Sequence, residues 1–188
     1  NCGQTCTAIK RIYVHHTLHG ALGEALSSLA KSLVVGDGLL AGTEMGPINN
    51  EPQLTRVQSL LSDALTRGGS VICGGQRIDS PGFFYPPTIV TGLPDDALLV
   101  AEEQFGPVLP LLKFDDVDDA LKRANQSNFG LGGSVWSSDS ERAMEITHGL
   151  ECGTTWVNRH GTTDPAVPFG GIKDSGLGYA NGQTTTTC

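Results

Sequence analysis

Three short segments of this sequence join residue types that can do chemistry. In Gly3-Gln4-Thr5-Cys6 a thiol follows a glycine turn. Unpaired backbone N–H groups at such a turn lower a thiol's pKa, and the cysteine's own amide can help hold an oxyanion. That chemistry is nucleophilic attack on an electrophilic carbon; the plainer reading makes Cys6 a small core residue. In Glu102-Glu103-Gln104-Phe105-Gly106-Pro107 a carboxylate precedes an aromatic ring and a rigid Gly-Pro turn. Glu103 there can grip vicinal hydroxyls while Phe105 packs against a ring; alone, the segment also reads as a solvated acidic loop with one core phenylalanine. The third segment, Pro168-Phe169-Gly170-Gly171-Ile172-Lys173-Asp174-Ser175-Gly176-Leu177-Gly178, is dense in glycine, which permits close backbone packing or a crowded loop. It lacks the Gly-Lys-Ser/Thr order of a phosphate loop.

Other constellations are weaker. His15 and His19 straddle a strand–helix junction with no carboxylate or cysteine to join them, so no metal site is assigned. Asp115, Asp116, Asp118 and Asp119 lack the spacing and closing glutamate of a calcium loop and read as a helix start that favours negative charge. Cys73 and Cys152 read as core fillers, and Trp136 and Trp156 as packing residues.

The elements that must position these residues alternate between two periodicities. Residues 11–15 read as a strand, rich in β-branched and aromatic side chains. Leu18, Leu22, Ala25, Leu26, Leu29 and Leu33 then recur at helical spacing as one apolar face. Leu54, Val57, Leu60, Leu61, Ala64 and Leu65 make a second, with Pro52 in the first turn and Gly68-Gly69 as the stop. Strands are predicted at 71–73, 88–90 and 108–114, the last despite Pro110. Asp115 or Asp116 caps a helix whose core face is Val117, Ala120, Leu121 and Ala124. Residues 134–136 read as a strand, Ser138 or Asp139 caps a helix carrying Ala143, Ile146 and Leu150, and residues 154–157 close the pattern as a strand. This alternation predicts an α/β fold of three layers, a largely parallel sheet flanked by helices, in one domain over residues 1–183. The tail 184–188 reads as disordered or of artificial origin.

Composition removes several function classes. The 188 residues are 38% hydrophobic, enough for a core. Twelve basic against 20 acidic residues give a net charge of −8, which disfavours both nucleic acid and an acidic membrane surface. No apolar run approaches the roughly 20 residues of a spanning helix. Five cysteines, an odd number without a regular framework, point to free thiols in a reducing cytoplasm. There is no signal peptide and no initiator Met, and the chain opens at Asn1 inside a motif, so it reads as a piece of something longer.

Together and in this order, the segments resemble the catalytic domain of the aldehyde dehydrogenase superfamily. The match runs from Gly3-Gln4-Thr5-Cys6 through Gly46-Pro47-Ile48-Asn49-Asn50 and the 102–107 segment to Trp156-Val157-Asn158 and the 168–178 stretch. The resemblance implies that Cys6 is the nucleophile and passes through a thiohemiacetal and a thioester. It implies that Glu103 binds the nicotinamide ribose hydroxyls of NAD or NADP, that Phe105 lies beside the nicotinamide, and that Gln53 makes a further cofactor contact. Asn158 falls near the active site. Residues 159–168, with Thr162, shape the aldehyde pocket, Phe169 lies at its edge, and Thr5 and Thr7 line it. The family's dinucleotide-binding domain, general-base glutamate, glycine-rich cofactor loop, oxyanion amide and oligomerisation strand have no counterpart here. The expectation is therefore a dehydrogenase parent, homo-oligomeric, acting on a small-molecule aldehyde. The chain by itself is expected to bind no cofactor, to fall short of dehydrogenase activity, and to self-associate through an exposed docking face. Two readings from other classes stay open: a cofactor-independent thiol esterase working through Cys6, and a non-catalytic binding or scaffold module of the same fold.

Overall fold

The computed structural model describes residues 1–182, so the tail 184–188 lies outside the described residues. The chain divides into two compact units, one of residues Asn1–Asp116 and one from Val117 onward.

The first unit is built on four strands, β1 (Ile12–His15), β2 (Ser70–Cys73), β3 (Thr88–Thr91) and β4 (Val108–Phe114), in the order β1-β4-β3-β2. β1 and β3 both run parallel to the central β4, and β2 closes the sheet antiparallel to β3. Alternation along the strands sends Val14, Ile89 and Leu111 to one core and Val90, Val108 and Leu112 to the other. Helix α1 (His16–Ser32) covers the first core and α2 (Glu51–Thr66) the second, which makes the three predicted layers. Pro110 occupies the middle strand opposite Val90, where it gives up one ladder donor but is fully buried.

Helix α1 buries a different stripe from the leucine-rich one read in the sequence. Its buried residues are His19, Gly23 and Ser27, flanked by Leu22, Leu26 and Ala30, while Leu18 and Leu29 are 61% and 59% exposed. The reason is clearance. A Cβ on Gly23 would already lie 3.4 Å from Ile72 Cδ1 and 3.5 Å from Leu111 Cδ2, so the helix rests on the sheet where its residues are small. His19 Nε2 and Thr91 Oγ1, 2.9 Å apart, add a polar contact to that close approach. In α2 the predicted face holds for Leu54, Val57, Leu60, Leu61 and Ala64, whereas Leu65 is 48% exposed. The Asn50 side chain accepts the Gln53 N–H at 2.9 Å and caps this helix. A one-turn helix, α3 (Leu98–Ala101), escaped the sequence reading; Asp63 of α2 accepts its Leu98 N–H at 2.9 Å. That bond, and then Arg67, hold the Asp63 carboxyl below the usual range.

In the second unit α4 (Val117–Asn125) carries Asp118 and Asp119 in its first turn and Lys122 and Arg123 in its last, each sign where the helix dipole favours it. Its predicted stripe is only half-buried. Strands β6 (Gly132–Val135) and β7 (Thr154–Val157) pair in parallel, with α5 (Ser140–Thr147) between them in sequence, and β5 (Phe129–Gly130) lies just before. Asp139, of the two candidate caps, accepts the Arg142 N–H at 2.9 Å. Ala143 is buried as expected, and so is Thr147, which the apolar pattern passed over. Trp156 packs as predicted at 5% exposure; Trp136 does not, since β6 ends at Val135 and leaves the indole 63% exposed. The glycine-rich 168–178 stretch forms short strands β8 (Phe169–Gly170) and β9 (Ile172–Lys173); β9 pairs with β5, and β8 with β10 (Tyr179–Ala180).

Candidate active site

Two consecutive turns set the cysteine segment. The Gln4 N–H donates to Asn1 O at 2.9 Å, with Cys2 and Gly3 both at positive φ (58° and 71°), and the Ala8 N–H donates to Thr5 O at 3.0 Å. Cys6 sits in the second turn and its side chain is exposed, with Thr5 and Thr7 half-buried on either side. The other nearby thiol is of the opposite kind. Cys2 is 2% exposed within the α2-side core, and burial pushes it up to about 11, which keeps it protonated.

The first unit brings three of the sequence segments into contact. A Cβ on Gly3 would lie 2.6 Å from the carbonyl oxygen of Gly106, so the cysteine turn rests directly on the 102–107 turn. Gln4 and Asn49 exchange two hydrogen bonds: Gln4 Nε2 donates to Asn49 Oδ1 at 2.7 Å, and the Asn49 N–H donates to Gln4 Oε1 at 3.0 Å. Gln53 Nε2 donates to the carbonyls of Gln104 and Phe105 at 2.8 and 2.9 Å. Phe105 is thereby held at φ 44°, a left-handed conformation costing a bulky residue about 1–3 kcal/mol, with its ring part-exposed. Arg56 donates to the Glu103 carbonyl at 2.9 Å and pairs with the Glu102 carboxylate at 3.1 Å. Gln104, 4% exposed, donates to Lys10 O and Val108 O at 3.1 and 2.8 Å.

The result is a rigid platform whose outward groups are Cys6, Glu103 and Phe105. Among the described residues the Glu103 side chain is exposed and makes no hydrogen bond or ion pair. Free carboxylate oxygens beside an exposed ring fit the ribose and nicotinamide end of a dinucleotide. Gln53 fits less well as a cofactor ligand, because its amide protons are already engaged and only Oε1 remains.

The remaining predicted residues lie in the second unit. Asn158, at φ 53°, closes a reciprocal pair with Ser137: its Oδ1 accepts the Ser137 N–H and its Nδ2 donates to Ser137 O, both at 2.9 Å. This amide ties the end of β7 to the segment after β6. Thr162 is exposed and its carbonyl accepts Trp156 Nε1–H at 2.7 Å. His160 lies 4.9 Å from the Trp156 ring, with Nδ1 3.0 Å from Ser134 Oγ. Phe169 is half-buried in β8.

Lys10, Arg56 and Gln104 were not picked out by sequence reasoning. Nothing in their spacing sets them apart from ordinary surface residues. Lys10 Nζ is buried without a hydrogen-bond partner, and burial first, then Arg11, brings its pKa down to about 7.

The sequence profile described as the aldehyde dehydrogenase family matches residues 1–187. Phenylacetaldehyde dehydrogenase of Pseudomonas fluorescens is 40% identical over 184 residues, covering 97% of this chain and 37% of its own length. The NADP(+) succinate-semialdehyde dehydrogenase of Mycolicibacterium paratuberculosis is 36% identical over 178 residues, 95% of this chain and 38% of its own length. The betaine aldehyde dehydrogenase of Staphylococcus aureus, solved in complex with NAD+, superposes with a TM-score of 0.92 at 33% identity, over 97% of this chain and 37% of that one. The chain thus spans a little over a third of the length of each of these three relatives.

Proposed function

This chain belongs to the aldehyde dehydrogenase family, and from that premise we propose that it is the catalytic domain, residues 1–183, of a protein that oxidises an aldehyde to a carboxylic acid with NAD or NADP. Because the chain covers so little of its relatives' length, the complete reaction is proposed for the whole protein and not for these residues alone. The observation that carries the reading is the direct seating of the Cys6 turn on the Glu103 turn through Gly3 and Gly106.

The Cys6 thiolate adds to the aldehyde carbon, forming a C–S bond and a thiohemiacetal. NAD or NADP, if bound, would supply the acceptor for the hydride that this carbon loses in becoming a thioester. Water then cleaves the Cys6 thioester, releasing the acid and restoring the thiol. Glu103 would accept the ribose hydroxyls of that cofactor and Phe105 would flank its nicotinamide, while Gln53 holds the turn that carries both and keeps its Oε1 for a further contact. Thr5, Thr7, Thr162 and Phe169 line the aldehyde pocket, with Asn158 fixing the segment that follows β7. The described free thiols, Cys2, Cys6, Cys73 and Cys152, support a reducing compartment such as the cytoplasm. Among the described residues no helix is long and apolar enough to cross a membrane. Leu39 and Leu40, 93% and 66% exposed, support self-association of the chain and a homo-oligomeric parent.

The test is Cys6 alkylation by iodoacetamide as a function of pH, with Cys6→Ala as control. A Cys6-specific rate that saturates well below the free-thiol value of about 8.5 supports an activated nucleophile. A Cys6-specific rate still rising through that value, or no labelling of Cys6 at all, sinks it.

A further inference from the structure

Among the described residues every arginine but one has a partner. Arg56, Arg67, Arg123 and Arg142 pair with carboxylates, and Arg11 and Arg77 donate to Tyr13 Oη and Gly82 O. Arg159 is exposed, and its guanidinium makes no hydrogen bond or ion pair among those residues. With 20 acidic against 12 basic residues the chain does not lack carboxylates, so the cause is local. The backbone is pinned on both sides of Arg159. Asn158, at φ 53°, is locked by its two bonds with Ser137, and His160 lies 4.9 Å from the Trp156 ring with Nδ1 3.0 Å from Ser134 Oγ. Asp164, the one carboxylate of the 159–168 loop, is engaged within its own turn. Its Oδ1 accepts the Ala166 N–H at 2.9 Å, and its carbonyl accepts the Val167 N–H at 3.0 Å. The loop thus presents a guanidinium from a fixed backbone while its own anion is occupied elsewhere.

We propose that Arg159 is a specificity-determining residue: its guanidinium selects aldehydes that carry a carboxylate, which it holds through paired N–H donors. This rests on the reading that the 159–168 loop shapes the pocket of an aldehyde attacked by Cys6. A carboxylate fits better than a phosphate. One guanidinium balances one negative charge, whereas a phosphate group brings up to about two, and the loop holds Asp164 in place of a second arginine or a lysine.

The experiment compares two alkylating reagents of similar size, anionic iodoacetate and neutral iodoacetamide, at Cys6, read by mass spectrometry of the Cys6 peptide. With either, the Cys6 thiolate forms a C–S bond as iodide leaves. The ratio of the two rates therefore cancels any change in thiolate population and isolates the charge of the reagent. No cofactor takes part. Arg159→Gln is expected to lower the iodoacetate rate about threefold or more and to leave the iodoacetamide rate unchanged. Arg159→Lys, which keeps the charge, is expected to recover part of the loss, and about 0.5 M salt to remove much of the difference. Arg142→Gln takes a cation from α5, where it pairs with Glu145, and is expected to leave the ratio as it was. A ratio unmoved by Arg159→Gln, or moved as far by Arg142→Gln, overturns the role with the Cys6 reading intact. Two rates that fall together in Arg159→Gln make the residue structural and overturn it as well. If iodoacetamide does not label Cys6, the Cys6 reading fails and the specificity role fails with it.

Discussion

Gly3 and Lys10 show how single residues carry this platform. At Gly3 both the positive φ and the 2.6 Å clearance to the Gly106 carbonyl exclude a side chain. Gly3→Ala is expected to destabilise the first unit by more than about 1 kcal/mol and to slow Cys6 alkylation, because either the turn or the 102–107 segment must move. Urea unfolding and the labelling rate together check this. Lys10 acts through protonation. Its folded pKa of about 7 lies below the value of about 10.4 it regains on unfolding, so over that interval the unfolded chain binds more protons. Stability is therefore expected to rise with pH from about 7 to about 10. Below that window both states are protonated and the cost of the buried charge is fully felt. Lys10→Met is expected to be the more stable protein at pH 6 and to lose most of the advantage by about pH 10, as read from thermal midpoints of the two proteins side by side.

At the scale of elements, α2 links the fold to the site. Its N-terminus follows the 46–50 segment that grips Gln4, and its first turns carry Gln53 and Arg56, which hold the 102–107 turn. Asn50 starts it. Asn50→Ala is expected to cost about 1 kcal/mol through the lost cap, measured by urea unfolding, and to loosen the turn that Gln53 presents. Asn50→Asp, which keeps the acceptor, is expected to retain most of the stability. Helix α1 plays a different part: it closes the other face of the sheet through His19, Gly23 and Ser27 and supplies none of the groups that hold the two turns.

For the whole molecule, one domain over residues 1–183 remains our proposal, and the two tryptophans offer a direct test. Trp136 and Trp156 both lie in the second unit, so their fluorescence reports that unit, whereas far-UV circular dichroism draws on the helices of both. Coincident urea transitions by the two probes are expected of a single cooperative domain. Transitions that separate, with a first-unit substitution such as Leu111→Ala moving only the dichroism, would place a domain boundary near Asp116.

Much of the architecture was legible because it is local. Hydrophobic period, caps and β-branched runs locate the longer strands and helices, and the cysteine and Glu-Phe-Gly-Pro segments, taken together, carry the resemblance to the aldehyde dehydrogenase family that the profile bears out. Short elements such as α3, β8 and β10 were not legible, since a turn of helix or a two-residue ladder has too few positions to show a period. Packing decided the rest. The leucines of α1 have helical spacing, but a helix buries the stripe its partner leaves room for, and Gly23 against Ile72 and Leu111 set that stripe. The platform depends on bonds between residues far apart in sequence, Gln4 with Asn49 and Gln53 with Gln104, and a buried, unpartnered Lys10 exists only after those contacts have closed around it. The residue types and local order are properties of the chain as written; desolvation and long-range contact are properties that a side chain acquires only when the rest of the fold surrounds it.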